Sequence, residues 1–162
     1  MDLMNPPAYD EAREKLKRNL IIGAMGLVVA IILLTLGGYL SGHGWLFLNL
    51  PVEHRVNTFF NALEAKDYPK AYGIYNNDAE WMQRPDKYKG YSVQRFTEDW
   101  TNESPIKTAI TSHKVDLSRT DGEGNSSGTI VAVRVNGDNK LFMWVLKKDG
   151  TMTWPAGHEI LY

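Results

Sequence analysis

The chain has 162 residues, 18 of them basic and 19 acidic, for a net charge of −1. With no basic surplus or basic stripe, nucleic acid is not an expected partner. There is no cysteine, which excludes disulfides, thiolate metal sites, iron–sulfur clusters and a cysteine nucleophile, and leaves any folded part to hold by burial alone.

Residues 1–19 form a polar stub. Pro6-Pro7-Ala8-Tyr9 matches the PPxY pattern that WW domains bind in extended form, or is a plain Pro-Pro stop. Asp10 to Arg18 predicts a helix running on into the next segment, with acidic residues ahead of basic ones as the helix dipole prefers.

Residues 20–40 carry no charge. At about 1.5 Å per residue they extend roughly 31 Å, the thickness of a bilayer's hydrocarbon core. A cleaved signal peptide has a shorter apolar run of about 7–15 residues, and Ser41-Gly42-His43-Gly44 is a poor cleavage context. The expectation is an uncut, single-pass anchor. Arg13, Lys15, Lys17 and Arg18 precede it, and Arg55 is the next Arg or Lys beyond it. The positive-inside rule then places the N-terminus in the cytoplasm and the rest outside, the arrangement of an inner-membrane protein with a periplasmic domain. Tyr39, Trp45 and Phe47 suit the far headgroup zone. Gly23, Gly26, Ala30 and Gly37 fall within about 60° of one another at helical spacing. They are candidate helix-packing positions, since small residues let a neighbouring helix approach closely; ordinary membrane-helix composition is the plainer alternative.

Residues 41–50 read as an interfacial linker and 51–162 as the folded domain. Pro51 opens a helix whose apolar stripe is Val52, Val56, Phe59, Phe60 and Leu63. Asp67 caps a second helix with Tyr68, Ala71, Tyr72 and Tyr75 on its inner face. Residues 79–91 predict a loop holding Trp81. Ser92 then caps a third helix with Val93, Phe96 and Trp100 inward, and Tyr91 and Phe96 stand at the two positions of a hydrophobic staple. Beyond Pro105 the period becomes two. His113, Val115 and Leu117 share one face of a first strand, and Val131, Val133 and Val135 share one face of a second. Leu141 to Leu146 is apolar on both faces, and Met152 and Trp154 make a fourth strand, after which residues 158–162 resume pairing. Asn136-Gly137 and Asp149-Gly150 are hairpin signals. The expected class is α+β: one transmembrane helix, then three helices on a curved four-stranded antiparallel meander.

The order helix, short helix, loop, short helix, meander resembles the nuclear transport factor 2-like fold, whose superfamily includes ketosteroid isomerase-like and SnoaL-like proteins. Val56 to Tyr75 is similar to its usual opening, with an Asp-Tyr cap and an Ala-Tyr second helix, and Ser92 to Trp100 is similar to the helix before its sheet. The pattern covers residues 50–162 and looks most like membrane-anchored bacterial members that carry no recognised activity. The resemblance implies a cone-shaped cavity between helices and sheet, either used as a site or filled. Tyr68, Tyr72, Phe96, Trp100, His113 and Trp144 are the candidate cavity-lining residues.

An isomerase-like or dehydratase-like member needs a base and a hydrogen-bond donor in that cavity. Asp99 and His113 are candidates for the base, and Tyr68, Tyr72 or Tyr75 for the donor. The plainer reading has Asp99 solvated, His113 hydrogen-bonded and structural, and the aromatics filling the core. Histidines 43, 54, 113 and 158 lack metal-ligand spacing, and Gly122, Gly124 and Gly128 lack the strand–loop–helix context of a phosphate loop. Asn102 and Asn125 head glycosylation sequons that matter only in a eukaryotic secretory pathway. No cofactor and no catalytic set are expected. The leading expectation is a non-catalytic accessory or assembly subunit that contacts the membrane and other membrane-protein subunits. Self-association through the sheet face, with Ala132 and Arg134 in the interface, is one rival. A small-molecule binder or enzyme using the cavity is the other.

Overall fold

A computed structural model describes residues 10–101, 103–122, 124 and 127–162. The PPxY segment and the sequon asparagines lie outside them.

Helix α1 spans Glu11–Leu40 without a break. Asp10 caps it by accepting the Arg13 backbone N–H at 3.1 Å, so residues 11–19 and the anchor are one rod. The helix is long and apolar enough to cross a membrane, and nothing among the described residues buries its most apolar stretch. At its far end the chain turns back through Gly42 and Gly44, both at φ +79°, into a short 3-10 turn at Trp45–Phe47.

Helices α2 (Leu50–Glu64), α3 (Tyr68–Tyr75) and α4 (Val93–Trp100) follow. Asp67 caps α3 through the Lys70 N–H and Ser92 caps α4 through the Arg95 N–H, as the sequence predicts. Residues 79–91 wind into two 3-10 turns, Trp81–Gln83 and Pro85–Tyr88. Strands β1 (His113–Asp121), β2 (Gly128–Val135), β3 (Asn139–Leu146) and β4 (Met152–Thr153) form an antiparallel meander in sequence order.

The helices lie on one face of the sheet. Val56, Phe59, Phe60, Tyr72, Phe96 and Trp100 meet Val131, Val133, Val135, Met143 and Val145 in the main core. Rings pack edge to face there, with Phe59 and Trp100 at 5.1 Å and Tyr72 and Phe96 at 5.4 Å, the arrangement that aligns ring edges with ring faces.

Three expectations for the sheet need correcting. The β1–β2 register shifts between Val115 and Leu117. This bulge keeps His113 and Val115 on the helix side and turns Leu117 to the other face, because the extra residue breaks strict alternation. Residues 158–162 add no strand; Ile160 instead folds onto that other face with Ile130, Ala132 and Phe142. Trp144 also packs there and not in the helix-side core. Ala132 is fully buried on that face, and Arg134 forks onto Asp116 at 2.6 and 2.7 Å.

Candidate functional site

The space where a cone-shaped cavity would lie is occupied. Phe96 and Tyr72 are completely buried and Trp100 is 5% exposed, while Tyr68 sits partly buried at the core's edge. His113 stacks on Phe60 with ring centroids 5.4 Å apart. Its Nδ1 meets the Glu64 carboxylate at 2.6 Å and its Nε2 meets the Asn57 amide at 2.9 Å. Both nitrogens are thus engaged between α2 and β1, so His113 ties a helix to the sheet and offers no free lone pair to a substrate.

Asp99 is brought beside Tyr75, Tyr91 and Trp154 in a crevice of about 210 Å³. It accepts from the Tyr91 hydroxyl at 2.9 Å and pairs with Arg95, whose Nε lies 2.9 Å away. Burial, with the bond to Asp99, pushes the Tyr91 hydroxyl's pKa upward. A base and phenols do converge, yet the space falls below the roughly 300–1,000 Å³ of ordinary ligand pockets.

A groove of about 940 Å³ lies outside the core, between α2, α3 and the turn after α3. Pro69, Ile74, Trp81 and the two-thirds exposed Met82 supply its apolar wall. Trp81 is fixed by its Nε1–H donating to the Pro69 carbonyl at 3.2 Å and by edge packing on Tyr72. Arg55 and Lys70 supply cations and His54 an imidazole.

Both carboxylates in the groove wall are already engaged. Asp67 caps α3. Asp78 accepts from Tyr88 and pairs with Arg84 at 2.6 Å and Lys87 at 3.5 Å; the Tyr88 hydrogen bond, above all, holds it below the usual carboxylate range. The cations have no such partners. Lys70 and His54 form no ion pair among the described residues. Arg55 donates to the Gly150 carbonyl, but its Nε is buried with no acceptor, and burial pulls its pKa below the ordinary value despite nearby Asp149.

Comparison with family models, curated proteins and solved structures returns no match to this chain. Function therefore has to be read from its own surfaces.

On α1, Gly23 and Gly26 face open space and Ala30 is exposed. Gly37 is different: Phe47 of the following turn lies 3.7 Å from where its Cβ would be, so the chain covers that end of the stripe itself.

Sequence reasoning missed the groove and also a buried polar knot at the foot of the domain. There Glu53, 6% exposed, meets His43 Nδ1 at 2.8 Å and accepts from the Ser118 hydroxyl at 2.5 Å. One sign was readable: Glu53 lies three and seven positions before Val56 and Phe60, on the apolar stripe of α2, where a carboxylate needs a buried partner.

Proposed function

We propose that this protein is a non-catalytic accessory or assembly subunit of a larger membrane complex. α1 crosses an inner membrane with its N-terminus in the cytoplasm, and a domain of nuclear transport factor 2-like type recognises a partner chain outside. The observation that carries this reading is the outer groove with its unspent cations. Arg55 and Lys70, with the His54 imidazole as a further polar group, stand around an apolar wall and are complementary to a segment presenting a carboxylate beside a large apolar side chain. Exposed Met82 adds a wall able to adapt to such a side chain. The aromatic filling of the core and the open Gly23–Gly26–Ala30 stretch of α1 support the same reading, the latter as a surface for a partner helix.

The test is extraction of the full chain in a mild detergent, with identification of co-purifying chains on native gels and by mass spectrometry. Lys70→Glu and Met82→Glu place an anion in the groove and should release the partner without changing the melting temperature. Gly26→Leu should loosen the same complex by separating helices in lipid, whereas Ile32→Leu should leave it intact. A chain that migrates alone in all variants and in wild type overturns the accessory role.

A further inference from the structure

We propose a phospholipid-binding site at the foot of the domain, where the end of α1 meets β1. A concavity of about 650 Å³ opens there, with Tyr39 and Leu40 of α1 forming part of its wall. If residues 20–40 lie in hydrocarbon, the mouth of this concavity stands at headgroup level. The inference rests on α1 crossing the bilayer, as in the reading above, and is independent of the outer groove.

The wall is divided by chemistry. Leu40, Leu48, Leu117 and Ile160 offer an apolar surface, and Leu48 is 70% exposed. Arg119 is the one charged residue among the described residues of the wall. It makes no ion pair among the described residues. The buried carboxylate of Glu53 is engaged by Ser118 and His43, and that of Asp116 by Arg134. Asn49 supplies the second observation. It is 6% exposed, its Oδ1 accepts from the Thr120 hydroxyl at 3.2 Å, and its Nδ2 is a buried donor without an acceptor. A buried donor left so is costly, and an acceptor oxygen satisfies it. A cation, an unmet N–H and an apolar slot at bilayer height together fit a phosphate ester on an acyl glycerol. The phosphate would sit on Arg119, with ester or glycerol oxygens toward Asn49 and acyl carbons along Leu40 and Leu48.

The full chain, purified in a mild detergent, is tested by native mass spectrometry with three probes: dioleoyl phosphatidylglycerol, dioleoylglycerol with the same tails and no phosphate, and glycerol phosphate with no tails. Wild type should retain one phosphatidylglycerol and hold dioleoylglycerol roughly tenfold less well, the effect of one charge-assisted contact. Arg119→Gln, an exposed change, should bring phosphatidylglycerol down to the dioleoylglycerol level at an unchanged melting temperature, and Lys148→Gln should not. Glycerol phosphate should fail to displace the lipid. Equal retention by Arg119→Gln and wild type, or displacement by glycerol phosphate, overturns the site. Washing membranes at alkaline pH separates the two failures: a chain that is released overturns the anchor and this site together, whereas a chain that stays while Arg119→Gln binds lipid normally overturns this site alone.

Discussion

Asp116 shows how one residue gathers distant parts of the chain. It is the extra residue of the β1 bulge, and its carboxylate takes the Arg134 fork and the Tyr162 hydroxyl at 2.8 Å. The hydrogen bonds from Arg134 hold it below the usual carboxylate range, and those from Tyr162 help. Burial, with the bond to Asp116, lifts Tyr162 to about 12. A depressed carboxylate stabilises the fold fully above its unfolded value of about 3.9, and that contribution is lost as pH falls through the lower folded value. Asp116→Asn should therefore lower the denaturation midpoint at pH 7, and the gap from wild type should shrink as pH drops below about 4. A constant gap across paired urea titrations at pH 7 and pH 3 would show that Asp116 stays neutral or unpaired in the fold. At this scale the sequence was readable wherever chemistry is local. Asp67 and Ser92 cap helices whose N–H groups lie three residues on, so their roles follow from neighbours. His113 and Glu53 find partners 49 and 65 positions away, and no window along the chain contains both halves of such a pair.

Among the elements, helices were more legible than strands because a period of 3.6 survives small irregularities and a period of two does not. One bulge at Asp116 was enough to send Leu117 to the opposite face from Val115. The C-terminal segment fills that face without strand pairing, through Ile160 and the Lys140–Tyr162 cation–π contact at 4.0 Å. Its burial is tertiary and leaves no periodic mark. At the start of β2, Gly128 reports how closely this outer layer is packed. A Cβ there would come within 2.4 Å of the Trp144 ring and 2.6 Å of the Val145 carbonyl oxygen. Gly128→Ala must push the indole or the strand aside, at a cost of about 1–3 kcal/mol. Thermal melts should show a midpoint lower by roughly 5 °C or more, while Gly157→Ala, which meets nothing within 4 Å, should leave it unchanged. Equal midpoints would mean that Trp144 is loose.

For the whole molecule, the informative absence is cysteine, because single introduced thiols then report topology without background. Cysteine in place of Gly90, which is exposed and faces open space, should react with an impermeant thiol reagent in intact cells. Cysteine in place of Glu11 at the start of α1 should react only after lysis. The reverse pattern would invert the orientation drawn from the basic residues before the anchor and would put the groove in the cytoplasm.

The junction of rod and domain carries a mechanical consequence. The Gly42 carbonyl accepts the Ser118 N–H at 2.8 Å, the His43 carbonyl accepts the Asn49 N–H at 3.2 Å, and the His43 ring clamps Glu53. A Cβ on Gly38 would strike the Gly44 carbonyl at 2.3 Å, so the helix end and the returning loop are pressed together. The domain is thus mounted on its post and does not swing on a string. If the post spans a bilayer as proposed, tilting or turning it would reorient the groove as a lever turns its far end, and the groove would sweep a narrow shell above the lipid. A partner of the proposed kind would have to present its docking segment within that shell.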